Sequence, residues 1–92
     1  MGFQWDEDKD RQNHARHGIS FLQAAQIFRG PVLERPDDWS REEARTLALG
    51  ESGSVVITVV YTWRGGDRRI ISAWKATRHD REVYYKKIYG QI

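Results

Sequence analysis

The spacing of apolar residues changes along the chain, and each change marks an element. Asp6 is suited to cap a helix, with Glu7 and Asp8 in the first turn, where the helix dipole favours anions. The predicted helix runs from Lys9 to His17, where cations are favoured, and Gly18 ends it. Ser20-Phe21-Leu22-Gln23 reads as a capping box. Phe21, Ala24, Ala25 and Phe28 then recur at i, i+3, i+4 and i+7, which predicts an amphipathic second helix stopped by Gly30-Pro31. Val32–Arg35 reads as a short strand and Pro36–Ser40 as a polar loop. From Ala44 to Leu49 the pattern alternates, with Arg45, Leu47 and Leu49 on one face, and Gly50–Gly53 is turn chemistry. Ser54–Trp63, dense in β-branched and aromatic residues, is the strongest strand signal. Arg64-Gly65-Gly66-Asp67 predicts a hairpin loop, and Arg68–Lys75 a last strand. Thr77 can cap a final helix from Arg78 to about Tyr89, with Glu82 and Lys86 paired at i, i+4. The expected order is ααββββα: an α+β fold with two N-terminal helices, an antiparallel meander of three to four strands and one C-terminal helix.

The 92 residues allow one domain, taken as residues 1–92. With no cysteine there is no disulfide or thiolate chemistry. Met1–Asp6 shows no basic region leading into an apolar run, and the longest apolar stretch, Val55–Tyr61, is too short to span a bilayer, so a cytoplasmic protein without membrane contact is expected. Charge is unevenly placed. Residues 1–63 carry seven Lys or Arg against ten Asp or Glu, whereas residues 64–92 carry eight against three. A basic segment of this kind suits a polyanion, and it equally suits a solvated face.

Strict alternation along the last strand puts Arg69, Ile71, Ala73 and Lys75 on one face and Ile70, Ser72 and Trp74 on the other. Arg78 and His79 follow at once, Arg64 leaves the hairpin, and Arg45 joins them if the register allows. Cations separated by small residues on a sheet suit a phosphodiester backbone, with Tyr61 and Trp74 as stacking surfaces. The plainer reading has these arginines solvated, or paired with Glu43 or Glu82. His14 and His17 share a helix face, but no further ligand pattern completes a metal site, so neither metal nor cofactor is expected. There is no Gly-x-Ser-x-Gly elbow and no phosphate-cradling glycine loop.

Three stretches resemble the BrnT toxin family. The first is Phe3-Gln4-Trp5-Asp6 with Lys9, Asn13, His17-Gly18-Ile19-Ser20-Phe21 and Ala24-Ala25. The second is Arg45 through Gly50. The third is Val60-Tyr61-Thr62-Trp63-Arg64-Gly65, Arg69-Ile70-Ile71-Ser72-Ala73, Ala76-Thr77, Glu82 and Tyr84-Tyr85. The resemblance implies a compact RelE-like fold, RNA cleavage that blocks translation, possible only while a BrnA-type antitoxin is absent, and a hetero-oligomer with that antitoxin. DNA would be met only through the antitoxin, and RNA either free or on the ribosome. By motif, the family's functional arginines fall on Arg64, Arg69 and the segment ending at Arg78. Trp74 departs from the family's usual arginine, and His79 stands where another arginine is common.

The mechanism expected from this is metal-independent. RNA cleaves itself when its 2′-OH attacks the adjacent phosphate, so a protein need only align, move protons and stabilise charge. Arg64, Arg69, Lys75, Arg78 and His79 are the expected catalytic set, with Arg45, Tyr61 and Trp74 binding RNA. The alternative is a module that binds RNA, the ribosome or the antitoxin without cutting.

Overall fold

A computed structural model describes residues 2–37 and 43–90. Strand β1 (Phe3–Gln4) leads into helix α1 (Glu7–His17) and helix α2 (Phe21–Ala25), which continues as a 3-10 turn (Gln26–Arg29). Four strands follow: β2 (Leu33–Asp37), β3 (Arg45–Ser52), β4 (Val55–Arg64) and β5 (Asp67–Lys75), and helix α3 (Arg78–Tyr89) closes the chain. The five strands form one mixed sheet in the order β1-β5-β4-β3-β2. Strands β2 to β5 are the expected antiparallel meander; β1 is an unexpected fifth strand, parallel to β5.

The helix ends follow the chemistry of the sequence. Asp6 accepts from the N–H groups of Asp8 and Lys9, and those bonds, the Lys9 one foremost, hold its carboxyl below the usual value. Gly18 closes α1 in the left-handed conformation. Ser20 accepts from the Gln23 N–H and Thr77 from the Asp80 N–H. The expected second helix is shorter than its apolar spacing suggests, because the α-turns tighten to 3-10 at Gln26. Glu82 pairs with Arg78 instead of Lys86. Gly65 and Gly66 both have positive φ, which makes the two-residue turn between β4 and β5. The expected polar loop at Pro36–Ser40 begins later: Pro36 and Asp37 belong to β2, an outermost strand where a residue lacking an N–H is tolerated. The rest of that loop, with Trp39, lies outside the described residues.

Two faces of the sheet have different fates. Ile57, Val59 and Tyr61 of β4, Ala48 of β3 and Ile70 and Ala73 of β5 pack with Ile19, Phe21, Ala24 and Ile27 in the core, on the face covered by α1, α2 and the 3-10 turn. The opposite face is only partly covered, by α3. There Tyr84 is fully buried and its hydroxyl donates to the Pro31 carbonyl.

One irregularity sets which β5 side chains share a face. Val60 pairs with Ser72, but Tyr61 pairs with Ile70, so Ile71 has no partner on β4. This β-bulge reverses the alternation. Ile70 and Ala73, three apart, are both buried in the same core. The face expected for Arg69 is therefore corrected. Arg69 shares its face with Ser72 and Trp74, whereas Lys75, opposite core residue Ile57, falls in the other phase.

The outer edge of β5 is closed in two ways. Gln4 and Phe3 pair with Arg69 and Arg68. Farther along, Asn13 of α1 takes the place of a strand. Its amide donates to the Ala73 carbonyl at 2.9 Å and the Ile19 carbonyl at 2.9 Å, and its Oδ1 accepts from the Ala73 N–H at 3.1 Å. Asn13 is a buried polar residue on an otherwise exposed helix, and these bonds are the reason.

Candidate functional site

The partly open face is a lattice of rows that the register defines. One row runs Leu33, Leu49, Thr58, Trp74; the next runs Arg35, Leu47, Val60, Ser72. In the third, Asp37 pairs with Arg45, Thr62 pairs with Arg69, and Arg69 pairs with Gln4. Arg45 lies one position beyond the Thr46–Tyr61 pair, which brings it beside Thr62. Arg45 and Arg69 thus flank Thr62 at two strand spacings, about 10 Å. Arg64 lies two residues beyond Thr62 on the same face.

Three of the expected arginines therefore converge. Arg45 Nε and Arg64 Nη2 each lie 3.6 Å from a different Glu43 oxygen, and Arg69 Nη1 donates to Gln4 Oε1 at 3.2 Å. One carboxylate, Glu43, thus serves two guanidinium groups, and Asp37 lies across from Arg45 on β2. Thr62 beneath it is buried, and its hydroxyl donates to the Ala44 carbonyl at 2.7 Å. The Glu43 pairing is the alternative weighed from the sequence, and both roles act on the same side chains. Gln4 was not foreseen, because a two-residue strand leaves no pattern of its own.

The remaining candidates lie elsewhere. His79 sits at the start of α3 and reaches the other end of this face, lining a cleft of about 390 Å³ with Leu33, Glu34, Arg35, Leu47, Leu49, Thr58, Asp80 and Val83. Thr58 and Thr62 are four residues apart on β4, so the cleft and the arginine row are separated by about 13 Å of strand. Trp74 is on the same face and its ring lies 6.2 Å from that of His17. Arg78 points to solvent and pairs with Glu82 at 3.2 Å, which removes it from the cluster, as the β-bulge removes Lys75.

Tyr61 is on the wrong face for stacking on RNA. Its ring is 2 % exposed, packs edge-on against Phe28 and Trp63, and its hydroxyl donates to Glu34. Burial, with the neighbouring Glu34 second, holds its pKa above the ordinary value. Beside it Arg68 is enclosed by rings, its guanidinium carbon 4.2 Å from the Phe28 centroid, 4.6 Å from Trp63 and 5.2 Å from Tyr61. Arg68 thus belongs to the packed side, although it adjoins Arg69 in sequence. Among the described residues no group of three His, Asp or Glu is placed to hold a metal ion, and no helix is long and apolar enough to cross a membrane.

Fold and face together define a class: a small α+β domain with a single sheet, one face filled by helices and the other presenting clustered arginines beside a half-apolar cleft. The model of the BrnT family, described as the ribonuclease toxin of a type II toxin-antitoxin system, matches residues 5–80, and the chain belongs to that family. The crystal structure of the Brucella abortus ribonuclease toxin BrnT is similar to it, with a TM-score of 0.69 and 27 % identity over 85 % of this chain and 99 % of that one. No curated protein sequence matches.

Proposed function

We propose that this ribonuclease toxin cuts RNA on the partly open sheet face, with Arg45, Arg64 and Arg69 gripping the phosphate at the cut. The observation that carries this is the convergence of those three side chains around Thr62. Guanidinium forks suit phosphate oxygens and the charge that grows on them. Glu43 and Gln4 hold all three forks in place until RNA arrives.

The reaction is metal-independent and RelE-like. The ribose 2′-oxygen attacks phosphorus and gives up its proton, the bond to the 5′-oxygen breaks, and that oxygen leaves with a proton, giving a 2′,3′-cyclic phosphate end. His79 lines this face from the far end, about 13 Å of strand from the arginine row and beyond hydrogen-bond reach of the phosphate held there, so it contacts the RNA beside the cut and is not the proton-transfer group. Lys75 and Arg78 contribute long-range positive charge only. The toxin acts in the cytoplasm, blocks translation, and is silenced by a BrnA-type antitoxin bound as a hetero-oligomer. Contact with DNA is made by the antitoxin.

The test is induction of the toxin with and without its antitoxin, alongside RNA cleavage by purified wild type and Arg69→Ala. Arrest relieved by the antitoxin, with cleavage reduced at least a hundredfold in the variant, is the expected result; one oriented charge-stabilising donor is worth roughly that much. Full cleavage by Arg69→Ala would remove the phosphate site from this face.

A further inference from the structure

We infer that the cleft between α3 and the sheet binds one unpaired nucleobase of the RNA, and so selects where the chain is cut. This rests on the phosphate reading above and adds to it a base-recognition site.

Three features of the cleft point to a base. First, its floor is polar and unsatisfied. Thr58 is 4 % exposed, and its Oγ1 has no hydrogen-bond partner among the described residues. A buried hydroxyl without a partner is uncommon, and a ligand that brings one removes the penalty. Second, the walls around that hydroxyl are largely apolar, with Glu34, Arg35 and Asp80 adding polar groups to the lining. Leu47 and Leu49 rise from β3 and Val83 from α3, while His79 supplies a ring at the mouth. About 390 Å³ is within the range of small-ligand pockets. Third, the cleft shares a sheet face with the arginine cluster, about 13 Å along β4. A nucleotide whose base enters the cleft places its sugar beside His79 and sends its phosphate toward Arg69.

An apolar side chain from a protein partner would fill the same walls, but it would leave the Thr58 hydroxyl unpaired. A base carries donors and acceptors on its edge and π-faces for the walls. Sequence-specific proteins take single-stranded RNA bases in this manner.

The test uses short 2′-O-methyl RNA oligomers, which lack the attacking hydroxyl and so remain uncut. One is wholly abasic, and four carry a single base, A, C, G or U, at one position. Binding is read by fluorescence anisotropy with the full chain. The expected result is that at least one base tightens binding roughly tenfold over the abasic oligomer. Thr58→Val, which is nearly isosteric, and Leu47→Trp, which fills the cleft, bring that oligomer back to the abasic level. Arg69→Ala instead weakens every oligomer, the abasic one included. Thermal melts establish that each variant is folded, and Thr58→Val carries the test if Leu47→Trp is not. If no base improves on the abasic oligomer, or if the improvement survives Thr58→Val, the base site is wrong while the phosphate reading stands. If the variants keep base preference and lose antitoxin binding, the cleft belongs to the protein partner and the inference fails. If wild type and Arg69→Ala bind all oligomers alike, the phosphate reading fails with it.

Discussion

Single residues in this protein are judged by what they close. Asn13 has no apolar surface to contribute, yet it is the buried position of α1 because its amide matches the free backbone of Ala73. Asn13→Ala leaves the Ala73 N–H and two carbonyls without partners, and is expected to cost about 2–3 kcal/mol. Asn13→Asp loses the two donations and keeps the acceptor, so chemical denaturation should rank it below wild type as well. Equal stability of all three would show that water replaces the amide without penalty. Arg68 and Arg69 show how far neighbours can differ. One lies among three aromatic rings on the packed side, and the other faces Gln4 on the open side.

At the scale of elements, close packing between the 3-10 turn and β3 is set by Gly50. A methyl group there would meet Ile27 Cβ at 2.7 Å and Val32 Cγ1 at 3.1 Å. Gly50→Ala is expected to destabilise the fold by about 1–3 kcal/mol, seen as a lower melting temperature, because the neighbouring atoms are branched side chains near their own backbone. An unchanged melting temperature would mean that the 3-10 turn slides freely on β3. The elements that sequence revealed are those written in local chemistry. Asp6, Ser20 and Thr77 cap where they were expected to, Gly18 terminates α1, and Gly65-Gly66 turns the hairpin. What escaped has no local signature. β1 is two residues long and exists through its pairing with β5. Pro36 reads as a loop residue until its strand is known to be outermost. The candidate site was legible in the same partial way. Residue types gave Arg45, Arg64 and Arg69, whereas Gln4 and the exclusion of Lys75 depend on pairing between strands distant in sequence.

For the whole molecule, the two faces answer to different variables. The open face answers to salt. Each phosphate contact releases counterions, so Arg69→Ala should flatten the log–log salt dependence of single-strand RNA binding by roughly 0.7. A slope equal to that of wild type would show that Arg69 meets no phosphate. The packed regions answer to alkali. Burial first, then nearby Glu51, pushes the Tyr84 phenol up to about 12 from 10.0, and Tyr61 and Tyr89 are raised as well. An unfolded chain would ionise these tyrosines earlier, so the stability they contribute is complete below pH 10.0 and is lost as pH climbs toward 12. Following phenolate absorbance together with helical ellipticity should show the later-ionising tyrosines titrating as the fold melts. Ionisation completed before any loss of ellipticity would contradict that coupling.

The β-bulge at Ile71 makes the site a matter of parity. Everything from Ser72 to Lys75 is counted from that one extra residue. Were Ile71 kept but taken into the ladder opposite Val60, Ala73 would turn outward, Trp74 would swing toward the space Ala73 leaves, and Lys75 would come round to join Arg69. For descendants of this sequence, losing that one codon would leave the cations and rings offered to RNA where they are, whereas absorbing the same residue into the ladder would exchange them all at once.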